Sequence, residues 1–128
     1  MGSFVKYNWL SVLWAIFICY MCLVPSKTLP KVEINNIDKA VHFTFYFVLV
    51  VLMYWGWKKQ DAFQGLYSNT FIKVFIIACF YGISIEVMQG VFTADRHFEL
   101  LDEAANASGA AAGGLFAVKI VKRTLVLL

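Results

Sequence analysis

Charge is what this sequence has least of. Only 15% of its 128 residues are Asp, Glu, Lys or Arg, against about 25% in soluble domains. With 61% hydrophobic residues and a mean hydropathy of +0.71, that shortfall excludes a soluble globular module. It predicts a small integral membrane protein of one domain, residues 1–128. The net charge of +3 comes from basic residues scattered at the ends of apolar runs, so no nucleic-acid partner is expected.

Metal-ligand spacing is also missing. No H-x-x-x-H pair is present, and neither that spacing nor C-x-x-C fits His42, Glu86 and Asp102 as metal ligands. Cys19-x-x-Cys22 has redox spacing but sits among Ile18, Tyr20 and Met21, without a soluble βαβ setting. Cys19, Cys22 and Cys79 therefore read as apolar packing, and neither a metal nor a cofactor is expected. Nucleophiles are scarce as well. Gly82-Ile83-Ser84-Ile85-Glu86 lacks the second glycine and the strand–turn–helix setting of a nucleophile elbow. Ser108, near Asn106, has no motif around it.

What the sequence has is four apolar segments, about 9–25, 40–57, 71–92 and 104–121. Each approaches the roughly 17–25 residues that cross a bilayer. The predicted fold is an all-α bundle of four transmembrane helices. The first segment follows Lys6 as a signal peptide would, but Tyr20-Met21-Cys22-Leu23-Val24-Pro25 offers no small-x-small cleavage site. It reads as an uncleaved span. The fourth is rich in Ala and Gly, which suits a helix packed closely against others, with Gly109 and Gly113 as packing positions.

Basic residues predict the orientation. Lys6, Lys58, Lys59, Lys73, Lys119, Lys122 and Arg123 fall on one side; Lys27, Lys31, Lys39 and Arg96 fall on the other. The richer side is expected to be cytoplasmic. Both termini then lie inside, and loops 26–39 and 93–103 lie outside. The acids Glu33, Asp38, Asp95, Glu99, Asp102 and Glu103 fall outside, and Asp61 inside. Trp9, Trp55, Trp57 and Tyr67 fall near the inner interface, as an aromatic belt does.

One acid remains within a span. A carboxylate at the centre of a membrane helix costs roughly 2.5–3.5 kcal/mol, less toward its end, so Glu86 is read as functional unless its cost is otherwise offset. At 1.5 Å per residue it lies roughly 9 Å inside Phe92. Other polar residues share its level. Lys39 and His42 are three apart on the second helix, Glu86 and Gln89 three apart on the third, and Asp102 and Asn106 four apart on the fourth. Each pair shares a helix face. Arg96 precedes Asp102 and can fold over them. Together they predict a shallow, outward-facing polar cleft with Lys39, His42, Glu86, Gln89, Arg96, Asp102 and Asn106 as ligand-binding residues.

This ordered set, Lys39-x-x-His42-Phe43, then Glu86-x-x-Gln89, then Arg96, Asp102, Asn106, Gly109 and Gly113, resembles the VanZ-like family over about Asp38 to Gly114. These are small bacterial membrane proteins named for a teicoplanin-resistance factor. The resemblance implies a multi-pass protein of the bacterial inner membrane, linked to glycopeptide tolerance. The leading expectation is an envelope protein that binds a lipid headgroup or lipid-linked cell-wall precursor, with Arg96 and Lys39 on its phosphate. An enzyme using Glu86 and His42 as catalytic acid and base is the second. The third is a structural subunit, held by a membrane-protein partner or as a homo-oligomer. For each residue a purely structural role stands beside these: an orienting ion pair for Glu86, interhelical glue for Gln89, a carbonyl contact for His42, a helix-dipole partner for Asp102 and a headgroup anchor for Arg96.

Overall fold

A computed structural model describes residues 1–28, 36–95 and 97–126 of the chain. Lys31, Glu33, Arg96 and Leu128 lie outside them. Four helices carry the fold: α1, Gly2–Leu23; α2, Ile37–Lys59; α3, Thr70–Phe92; and α4, Leu100–Val126. All four are long and apolar enough to cross a membrane, and no strand occurs among the described residues. All four helices run past at least one end that hydropathy predicts, α1 most by starting at Gly2 and α4 by spanning Leu100–Val126. A hydropathy window drops polar end residues that a helix retains where they reach the interface. Asp102 and Glu103 in the first turn of α4 also complement the positive end of its dipole.

Burial runs opposite to that of a soluble protein. Ile72, Phe80, Val91, Phe92 and Leu115 are exposed, whereas Asn8, Ser11, His42, Gln60, Thr70, Glu86, Gln89, Asp102 and Asn106 are buried. Exposed apolar side chains around the whole bundle suit lipid as the solvent, because hydrocarbon cannot hydrogen-bond the polar groups. Ile18, Tyr46, Val50, Val74, Ala78, Ile85 and Ala110 form the apolar core between them.

The most extensive packing is between α2 and α4. Gly109 faces the Phe43 carbonyl so closely that a Cβ would overlap it, and a Cβ on Gly113 would lie 2.5 Å from the Phe47 carbonyl. Small residues thus let two backbones touch where side chains would hold them apart. The matches of Phe43 with Gly109 and Phe47 with Gly113 make α2 and α4 parallel. Gly114 against the Phe71 ring and Gly82 against Glu103 make α3 antiparallel to α4. Helix α1 is fastened by side chains that donate to carbonyls: Trp14 to Phe45 O at 2.9 Å, Gln89 to Cys22 O at 2.7 Å, and the Tyr81 hydroxyl to Ala15 O.

With this up-down-up-down order, α1 begins and α4 finishes at the same end of the bundle. There the Ser3 hydroxyl donates to Asp61, which holds that carboxyl below the usual carboxylate range. At this end Gln60 is fully buried. Its amide donates to Phe63 O and its Oε1 accepts from Phe63 N, both at 2.8 Å, closing the α2–α3 turn. Lys58 and Lys73 turn onto the carbonyls of Tyr67 and Gly65 at 2.7 and 2.6 Å. The opposite end holds the polar cluster.

Candidate functional site

Three helices supply the cluster, and each delivers its residue by position along the bundle. His42 sits one turn into α2, Glu86 two turns from the finish of α3, and Asp102 and Asn106 in the first two turns of α4. Antiparallel α3 and parallel α2 bring these levels together against α4. Glu86 is 0% exposed and Asn106 1%, so the groups are closed in by the helices, not spread along an open cleft.

Asn106 organises the interior. Its amide nitrogen donates to Glu103 Oε2 at 3.2 Å, which directs its Oδ1 to His42 Nδ1 at 2.9 Å. An amide oxygen only accepts, so Nδ1 carries the imidazole proton. The other ring nitrogen, Nε2, faces Asp102 Oδ2 at 3.7 Å. Glu86 Oε1 lies 3.8 Å from His42 Nδ1 and has no hydrogen-bond partner among the described residues. Glu86 Oε2 meets the backbone N–H of Glu99 at 3.5 Å.

Lys39 closes the rim. Its ammonium donates to Asp38 at 2.7 Å, to Glu99 at 2.6 Å and to Asp102 Oδ1. An ammonium has three protons, so all of its donors are already in use. Asp38 and Glu99 are the outward members, their side chains 56% and 55% exposed. Five carboxylates therefore surround one lysine and one imidazole among the described residues. Among the described residues, two groups of three side chains have the spacing of metal ligands: buried His42, Glu86 and Asp102, and Asp38, Glu99 and Asp102 at the rim. In each, one ligand atom per residue lies within 4.8 Å of the others.

The sequence-predicted residues divide accordingly. Lys39, His42, Glu86, Asp102 and Asn106 are brought together. Gln89 is buried but directs its amide to Cys22 O on α1, joining helices and not the cluster. Arg96 lies outside the described residues. The Ser84 and Ser108 hydroxyls return to the Phe80 and Ala104 carbonyls at 2.8 and 2.7 Å and are exposed on the bundle surface, outside the cluster. By sequence Glu99 and Glu103 are only topology signals, yet both bond within the cluster. Gly82 belongs to the cluster as well: a Cβ there would lie 2.8 Å from Glu103 Oε2 and 3.1 Å from the Asn106 amide nitrogen. Its spacing one turn before Glu86 was the available sign.

The profile of the VanZ/LLP1 family matches residues 3–122. No curated protein and no solved structure matches the chain. The profile covers nearly the whole sequence, and the chain belongs to the VanZ/LLP1 family.

Proposed function

We propose that this VanZ/LLP1-family membrane protein binds the polar headgroup of a lipid or lipid-linked cell-wall precursor at the clustered end of its bundle, facing outward from the bacterial inner membrane. One observation carries the reading. A polar cluster drawn from three helices sits near one end of the candidate spans, and one of its carboxylate oxygens, Glu86 Oε1, is buried without a hydrogen-bond partner among the described residues. A protein that needed only a fold would close that level with apolar side chains, since paired buried charges seldom add stability over hydrophobic ones.

Orientation follows from the excess of basic residues at the opposite end, the expected cytoplasmic side. The rim is the natural receiving surface. Asp38 and Glu99 reach solvent and accept hydrogen bonds, which suits hydroxyl, amide or ammonium groups of a headgroup. Lys39 has no spare donor for a phosphate, so the rim favours the neutral or cationic part of the ligand. The family's link to teicoplanin tolerance enters here, as the expected consequence if the headgroup belongs to a cell-wall precursor.

Native mass spectrometry of the protein extracted from its membrane tests this. A bound species of one defined mass is expected, reduced when Glu99→Gln and Asp38→Asn are combined. A lipid profile equal to the bulk membrane, unchanged in the variant, sinks the proposal. A second reading, acid–base catalysis by Glu86 and His42, is favoured by their 3.8 Å approach. Turnover of the bound species, abolished by Glu86→Gln, separates it from simple binding.

A further inference from the structure

The interior of the cluster presents acceptors to one another. With His42 Nδ1 donating to Asn106, a neutral ring turns the lone pair of Nε2 toward Asp102 Oδ2. Their separation of 3.7 Å is beyond a hydrogen bond. Glu86 Oε1 is fully buried beside the same ring with no hydrogen-bond partner among the described residues. The nearest ammonium, Lys39, sits on the other Asp102 oxygen, Oδ1, and on Asp38 and Glu99. Two acids and an imidazole thus converge in a buried space, and the adjacent cation is directed away from it.

We propose that His42, Glu86 and Asp102 form a binding site for a divalent transition-metal cation. Zn²⁺ binds imidazole nitrogen and carboxylate oxygen at roughly 2.0–2.2 Å, which sets its ligands about 3–3.5 Å apart. Asp102 Oδ2 already stands 3.7 Å from His42 Nε2, and Glu86 Oε1, 3.8 Å from Nδ1 of the same ring, completes the triad by shifting toward Nε2. One imidazole with two carboxylates suits Zn²⁺ or Fe²⁺ better than the all-oxygen preference of Mg²⁺. The supporting contacts have the form metal sites use. A ligating histidine commonly donates its other N–H to an oxygen, as His42 does to Asn106, and the spare oxygens of Glu86 and Asp102 are held by Glu99 N and Lys39. A dication neutralises two buried carboxylates, which a membrane interior otherwise penalises. The rim trio Asp38, Glu99 and Asp102 needs no ion, because the Lys39 ammonium already joins all three. Three protein ligands leave a coordination position open. The site stands whether or not a headgroup binds at the rim.

The test uses the full chain in detergent, stripped with a chelator, then titrated with Zn²⁺ or Co²⁺ and desalted for elemental analysis. One ion per chain is expected, with Co²⁺ giving the visible ligand-field bands of nitrogen–oxygen ligation. His42→Gln and Glu86→Gln should each weaken binding at least about tenfold, and Asn106→Ala about 10–100-fold through the ring it orients. Asp38→Asn and His97→Gln, the latter at the exposed second histidine in the α3–α4 connection, should bind as the unaltered protein does. Should a triad variant fail to fold, paramagnetic shifts of the His42 ring in the Co²⁺-loaded unaltered protein read the ligand directly. Failure of the unaltered protein to retain an ion overturns the proposal. So does binding that survives His42→Gln but is lost in Asp38→Asn, which would place the ion at the rim. Metal content and lipid retention are separate readouts, so either proposal can fail alone.

Discussion

Glu86 is held in place by its surroundings more than it holds them. Its closest imidazole nitrogen is 3.8 Å away, and its one hydrogen bond among the described residues, from Glu99 N, is long at 3.5 Å. Removing the charge therefore breaks no strong pair and relieves repulsion from Asp102. In chelator-treated protein Glu86→Gln should leave thermal stability unchanged or raised. A loss above about 3 kcal/mol, the signature of breaking a buried ion pair, would show that Glu86 is structural. Asn106 is the reverse case. It bonds His42 and Glu103 at once, and Asn106→Ala leaves both without their partner. We expect about 1–3 kcal/mol of destabilisation, read as a lower Tm; an unaltered Tm would mean that the amide bridges nothing.

Among the helices, the glycines separate by what surrounds them. Gly109 meets backbone on α2, which cannot swing aside, so Gly109→Ala should destabilise the bundle by about 1–3 kcal/mol through overpacking. Gly113→Leu should do more, forcing α2 from α4. Gly90, on the same fold, meets only Phe98 N at 3.7 Å, an ordinary contact. Gly90→Ala should be neutral or stabilising, by up to about 1 kcal/mol from helix propensity. Thermal melts of the three variants in one detergent check the ordering; equal effects at Gly90 and Gly109 would refute the tight α2–α4 contact.

The whole molecule is polarised from end to end. One end carries most of the basic residues, the fully buried Gln60 and the start of α1, and the other carries the acid-rich cluster. In cells, cysteines introduced at Asp61 and Glu99 should differ in reaction with an impermeant thiol reagent, Glu99 reacting from outside and Asp61 only after lysis. Reversal of that pattern would turn the cluster inward and remove the outward-facing headgroup reading, while leaving the cation site intact.

Composition and hydropathy by themselves determined that this chain is a four-helix membrane protein, because the cost of unsatisfied backbone in lipid leaves few alternatives for so apolar a sequence. The level of the site was legible for a related reason: a polar residue within a span stands out against an apolar background. Helix periodicity then placed His42, Glu86, Asp102 and Asn106 near one end. The pairing of those groups was not legible. Gln89 shares a face with Glu86, yet only the packing of α1 against α3 turned its amide to Cys22. Glu103 and Gly82 joined the site only when α3 and α4 met. The triad of His42, Glu86 and Asp102 has no motif, since its members come from three helices separated by 44 and 16 positions in the chain. Local spacing records what one helix presents, and ligand geometry depends on how three helices are rotated and how closely their glycines let them approach. That was decided by the tertiary structure alone.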